Sequence, residues 1–152
     1  MRRHTLEGTV AGIWVNILQI IFPAREGYTT FPEFIVDEGS CDLLTQHSTL
    51  PGPPAQAFRV KFLITQCKRV NLEGHNWQGQ INQAERYWRG MPIAYLNTRK
   101  FAIIAVGRYV RFYEWRHNLD QLTPIEDIGD LLFHIRRECL SVQNVLDYIK
   151  NA

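Results

Sequence analysis

The stretch Phe58-Arg59-Val60-Lys61-Phe62-Leu63-Ile64-Thr65-Gln66-Cys67-Lys68-Arg69 decides how the rest of the chain is read. Phe58, Val60, Phe62 and Ile64 alternate with Arg59, Lys61, Leu63 and Thr65, which predicts a strand with one apolar face. At its end the strand turns abruptly polar and cationic. Because strand side chains alternate with period two, Gln66 and Lys68 share a face and Cys67 points the other way, into the core. A polar pair at the end of an apolar strand marks a candidate site, with an ordinary polar strand end as the plainer alternative for Gln66.

Working outward, Trp77, Ile81, Ala84 and Trp88 recur at helical spacing, and Gly90 and Pro92 end that helix. Phe101-Ala102-Ile103-Ile104-Ala105-Val106 is an uninterrupted apolar run, expected of a strand covered on both faces. Gly107-Arg108 turns the chain into an alternating strand from Tyr109 to Trp115. Thr123-Pro124-Ile125-Glu126 has the chemistry of a helix start, with Ile125, Ile128, Leu132 and Ile135 as its expected stripe. Val142, Val145, Leu146 and Ile149 predict a last short helix. Upstream, extended segments are expected at Phe31 to Asp37 and at Cys41 to about Gln46, with a turn at Gly39-Ser40. The proline-rich Thr49 to Ala55 reads as a loop.

The chain opens with a helix expected from Leu6 to Phe22, closed by Pro23. Leu6, Val10, Ile13, Ile17 and Ile20 form its expected apolar stripe; Thr5, Thr9, Gly12, Asn16 and Gln19 lie opposite. A secretory core has no such polar face, and the run is too short and interrupted to span a bilayer. The order α-β-β-β-α-β-β-α-α predicts one α/β (α+β) domain over 1–152, a mixed central sheet flanked by helices.

Composition bounds the function. The 152 residues are 45% hydrophobic and 21% charged, which suits a single globular core and excludes a disordered tail. A formal charge of +2 is too small to mark a nucleic-acid binder, so any such role rests on where the basic residues sit. Cys41, Cys67 and Cys139 are odd in number and widely spaced, which favours a reducing, intracellular setting (cytoplasmic or nuclear). His4, His47, His75, His117 and His134 show no metal-ligand spacing.

Asp42, just after Gly39-Ser40, would supply a hard anionic oxygen beside Gln66 and Lys68 if the two strands form a hairpin. An oxygen-rich spot next to an ammonium suits a divalent cation and a phosphate. At these residues the chain resembles the PD-(D/E)XK nuclease superfamily. Gly39-Ser40-Cys41-Asp42-Leu43-Leu44 looks like its Asp half-motif. Ile64-Thr65-Gln66-Cys67-Lys68-Arg69 looks like the second half, similar to the Gln-x-Lys variant of Mrr-type restriction endonucleases.

The resemblance covers the first helix to about Trp115 and implies a restriction-endonuclease-like core, with two extra C-terminal helices. It implies Mg²⁺ (or Mn²⁺) held by Asp42, Gln66 and the carbonyl of Cys67, with Lys68 positioning the attacking water. Glu7, on the first helix, matches a glutamate that some members add; the alternative is a first-turn acid meeting the helix dipole. Gln66 is neutral where most members carry a carboxylate, which weakens the expected metal affinity. Arg69, Gln80, Gln83 and Arg86 are candidate DNA contacts, although a solvated helix face explains Gln80 and Gln83 equally well. Lys61 and Arg89 join the same candidate rim, and Arg108, Arg111 and Arg116 form a second basic group. Asp42 and Lys68 have a plainer alternative as a surface ion pair. The expected activity is hydrolysis of DNA phosphodiesters, with no membrane partner and room for a homodimer. The alternative is a catalytically silent relative acting as a nucleic-acid- or protein-binding effector module.

Overall fold

The computed structural model describes residues 3–32, 43–49, 58–68, 77–91 and 98–152. In chain order these form α1 (Arg3–Ile21), β1 (Tyr28–Phe31), β2 (Leu43–Thr49), β3 (Phe58–Lys68), α2 (Trp77–Arg89), β4 (Phe101–Val106), β5 (Tyr109–Arg116), β6 (Gln121–Pro124), β7 (Phe133–His134) and α3 (Cys139–Asn151). The fold is α/β with one mixed sheet in the order β1-β2-β3-β4-β5-β6, and β7 pairs with β5. Every pairing is antiparallel except that of β3 with β4. Parallel neighbours need a crossover connection, and α2 lies within it.

The sheet buries both faces. Trp14 and Leu18 of α1 and Val142, Val145, Leu146 and Ile149 of α3 pack on one side with Leu63, Phe101, Ile103 and Phe112. Ala84, Tyr87 and Trp88 of α2 pack on the other with Leu44, Ile64, Ala102, Ile104 and Tyr113. β4 is buried at every position, which is why its sequence has no polar alternation.

One irregularity decides which way the candidate site faces. Thr45 pairs with Leu63 and Gln46 with Lys61, so Phe62 is an extra residue on β3. Such a bulge interrupts the period-two alternation. Phe62 and Leu63 therefore both belong to the core under α1, and Ile64 passes to the α2 side. The single apolar face expected from Phe58 to Ile64 is corrected here: it splits after Phe62. Beyond the bulge alternation is regular, with Cys67 buried under α1 and Gln66 and Lys68 on the α2 side.

Two further expectations are corrected. Among the described side chains of α1 the buried ones are Trp14 and Leu18, while Ile13 and Ile20 of the expected stripe are 41% and 77% exposed. The indole of Trp14 offers the larger area to bury and sets the helix's rotation. At the C-terminus, Thr123-Pro124 does not start a helix. Thr123 pairs with Glu114 and Pro124 with Tyr113 on the outermost strand, where a missing N–H costs no ladder bond. The N–H of Leu122 donates to Glu85 Oε2 of α2 at 2.8 Å. The N–H groups of Ile128 and Gly129 both donate to Ile125 O, closing a turn with Gly129 at φ +73°. Among the described residues there is one C-terminal helix, α3, and not two. Its buried residues are the four expected.

Candidate functional site

Gln66 is fully buried, and neither its Oε1 nor its Nε2 has a hydrogen-bond partner among the described residues. A buried carboxamide with nothing to bond costs about 1–3 kcal/mol, which makes Gln66 a candidate site residue at the end of this central strand. Two positions further on, Lys68 is half-buried on the same face. The Gly107 N–H donates to Lys68 O at 2.8 Å, which pins the end of β3 to the β4–β5 turn. Gly107 sits at φ +60°, a conformation that favours glycine in this tight turn.

The register extends the site sideways. Gln66 stands beside Ile104, which pairs with Arg111; Lys68 stands beside Val106, which pairs with Tyr109. Two strand spacings place the Gln66 and Arg111 backbones about 10 Å apart on one face. Over this face lies α2. Its Gln80 is buried, and the Oε1 atoms of Gln80 and Gln83 have no partner among the described residues. A solvated face does not account for Gln80. That role falls to Gln78 and Asn82, which bond each other at 2.8 Å, and to Arg86.

Arg111 is the residue of this face whose part the sequence leaves open. Its guanidinium lies over the Trp77 ring, 4.9 Å from the centroid. Its Nε is buried without a hydrogen bond, and Asp130 Oδ1 is 3.9 Å away, too far for one. Burial pushes the Tyr113 phenol above its ordinary pKa and the Asp130 carboxylate adds to this, while Arg111 works against both. The guanidinium thus sits on an indole, hydrogen-bonds the Tyr113 side chain and has Asp130 as a loose counter-ion.

The other candidates separate clearly. Asp42 and Arg69 lie outside the described residues, as does Cys41; among the described residues the β2–β3 ladder includes Leu43 opposite Thr65. Glu7 is on α1, which packs on the sheet face opposite Gln66, and its side chain lies outside the described residues. The Cys67 thiol is in the core. Arg89 is withdrawn from the expected rim, since its Nε donates to Asp120 Oδ2 at 2.8 Å. Arg116 lies 3.5 Å from Glu114 and 3.8 Å from Glu126, and Arg108 is exposed on the turn.

No cluster of three His, Cys, Asp or Glu suited to a metal occurs among the described residues. The unbonded Oε1 of Gln66 is nonetheless a hard oxygen donor of the kind Mg²⁺ accepts, so the residue fits that role. No helix among the described residues is long and apolar enough to cross a membrane. No family model, curated protein or solved structure matches the chain.

Proposed function

We propose that this chain is a metal-dependent nuclease of the PD-(D/E)XK type, hydrolysing DNA phosphodiesters at Asp42, Gln66 and Lys68. The observation that carries the reading is the fully buried, unbonded carboxamide of Gln66, set two residues before a half-buried lysine. The element order supports it: a helix, three antiparallel strands, a helix, and a strand parallel to the third.

In this reading the Lys68 ammonium steadies charge developing on the phosphoryl oxygens and orients the water that attacks phosphorus as the bridging oxygen leaves with a proton. Asp42, Gln66 and the Cys67 carbonyl would hold Mg²⁺ or Mn²⁺, which when bound supplies Lewis acidity and a more acidic water. The reading requires Asp42 to fall on the side that Leu44 faces, toward α2. The low net charge fits a contact limited to a few phosphates.

The test is calorimetric titration with Mn²⁺ alongside cleavage of a labelled duplex. Asp42→Ala should lose both binding and cleavage at unchanged melting temperature, and Gln66→Glu should bind the ion more tightly. Cleavage that survives Asp42→Ala overturns the proposal. The neutral Gln66 favours one second reading, a catalytically silent binding module; it predicts no ion binding at millimolar Mn²⁺.

A further inference from the structure

We infer that Arg111, held on Trp77 and screened by Asp130, is a second phosphate-binding residue of the Gln66–Lys68 site. It would engage a phosphodiester a few positions along the strand from the one Lys68 serves. The inference rests on the nuclease reading and adds to it a residue from β5, outside the two half-motifs at Gly39 to Leu44 and Ile64 to Arg69.

Three observations converge on Arg111. The register puts it on the Gln66 side of the sheet, two strands away. That separation of about 10 Å spans roughly three charges of a nucleic-acid strand, at about 3.4 Å of axis per charge. The guanidinium carbon rests over the indole of Trp77, 4.9 Å from its centroid, a contact that reduces the freedom left to lose when an anion arrives. The Nε hydrogen is buried and unbonded, and the Asp130 carboxylate beside it is 3.9 Å away on a 60% exposed side chain. Such a carboxylate neutralises the arginine loosely and is displaced by a phosphate, which takes two parallel N–H bonds from a guanidinium. Two arginines elsewhere in the fold are held by close carboxylates: Arg89 by Asp120, and Arg99 by Glu114. Arg111 has no comparably close carboxylate among the described residues.

The experiment measures the affinity of the full chain for a fluorescent duplex oligonucleotide in EDTA across a salt series, with melting temperatures alongside. Each phosphate contact contributes about 0.9 to the slope of log K against log salt. Arg111→Gln should lower that slope by about one and weaken binding roughly tenfold, while Arg111→Lys keeps the slope. Asp130→Asn should tighten binding by a factor of about two to five, as expected for loss of one exposed repulsive charge. An unchanged slope in Arg111→Gln overturns the inference, and if cleavage by the wild type still depends on Lys68 the nuclease reading stands without it. Should Arg111→Gln melt early, Asp130→Asn decides: tighter binding supports the inference and unchanged binding overturns it. A wild type that neither binds nor cleaves the duplex overturns both.

Discussion

Replacing Gln66 by Met should make the protein more stable and inactive. Gln66 is fully buried, with both polar atoms of its amide unbonded among the described residues, and its strand neighbours Ile64 and Ile104 belong to an apolar cluster. An unsatisfied buried amide costs about 1–3 kcal/mol, and a volume-conserving replacement in a core costs less than about 1.5 kcal/mol. Taking about 2 kcal/mol for the relief and under 1 kcal/mol for repacking leaves a gain of about 1–2 kcal/mol. For a chain of this size that is a rise in melting temperature of roughly 2–8 °C. Urea unfolding with an unchanged m-value measures the same gain independently. Mn²⁺ should stabilise the wild type by RT ln(1 + [L]/Kd) and leave Gln66→Met unmoved. A loss of about 1 kcal/mol or more in Gln66→Met would refute the reasoning, because it would show that the amide is bonded in the free protein.

Two other perturbations test the framework around the site. Glu114 is buried and forked by Arg99 at 2.8 and 3.0 Å, an arrangement that pushes the Arg99 guanidinium above its ordinary pKa, mainly through those hydrogen bonds. Arg99→Met should cost about 2 kcal/mol, below the full value for a buried pair because Arg99 is half-exposed, and adding Glu114→Met should restore most of it in urea melts. Lys100 is buried with Nζ 3.2 Å from Thr98 O, and desolvation holds its pKa below the ordinary lysine value of 10.5. Between those two values the unfolded chain binds more protons, so stability rises with pH there by up to about 1.4 kcal/mol per unit. Lys100→Met should flatten that rise; a profile as steep as the wild type's would assign it to another group.

The legible parts of the fold are those where one physical preference acts alone. The run Phe101 to Val106 is buried on both faces, and the stripe Trp77, Ala84, Trp88 matches one face of α2. Where two preferences compete, the sequence leaves the outcome open. Phe62, Leu63 and Ile64 are all apolar, so a bulge among them leaves the pattern unchanged while reversing every later side chain. The isoleucines of α1 cluster on one arc of the helix, and the buried side is centred beside it, on Trp14 and Leu18. Thr123-Pro124 satisfies the rules for a helix start and for an outer strand equally well; its pairing with Glu114 and Tyr113 decides.

Within the site, the shared face of Gln66 and Lys68 was readable from period two alone. The burial of Gln80 was not, since a long polar side chain near a helix start has the same pattern whether it meets solvent or a sheet. Arg111 stood among the basic residues of the later hairpin. Only the β4–β5 register and the ring of Trp77 bring it to the Gln66 side.

The most direct measurement is nicking of supercoiled plasmid in Mn²⁺ by wild type and Lys68→Ala, purified identically and shown to melt at the same temperature. The wild type should convert the plasmid to open-circle and linear forms, and Lys68→Ala should leave it intact. Equal cleavage by both, or by neither, would contradict the assignment of phosphodiester hydrolysis to this strand end.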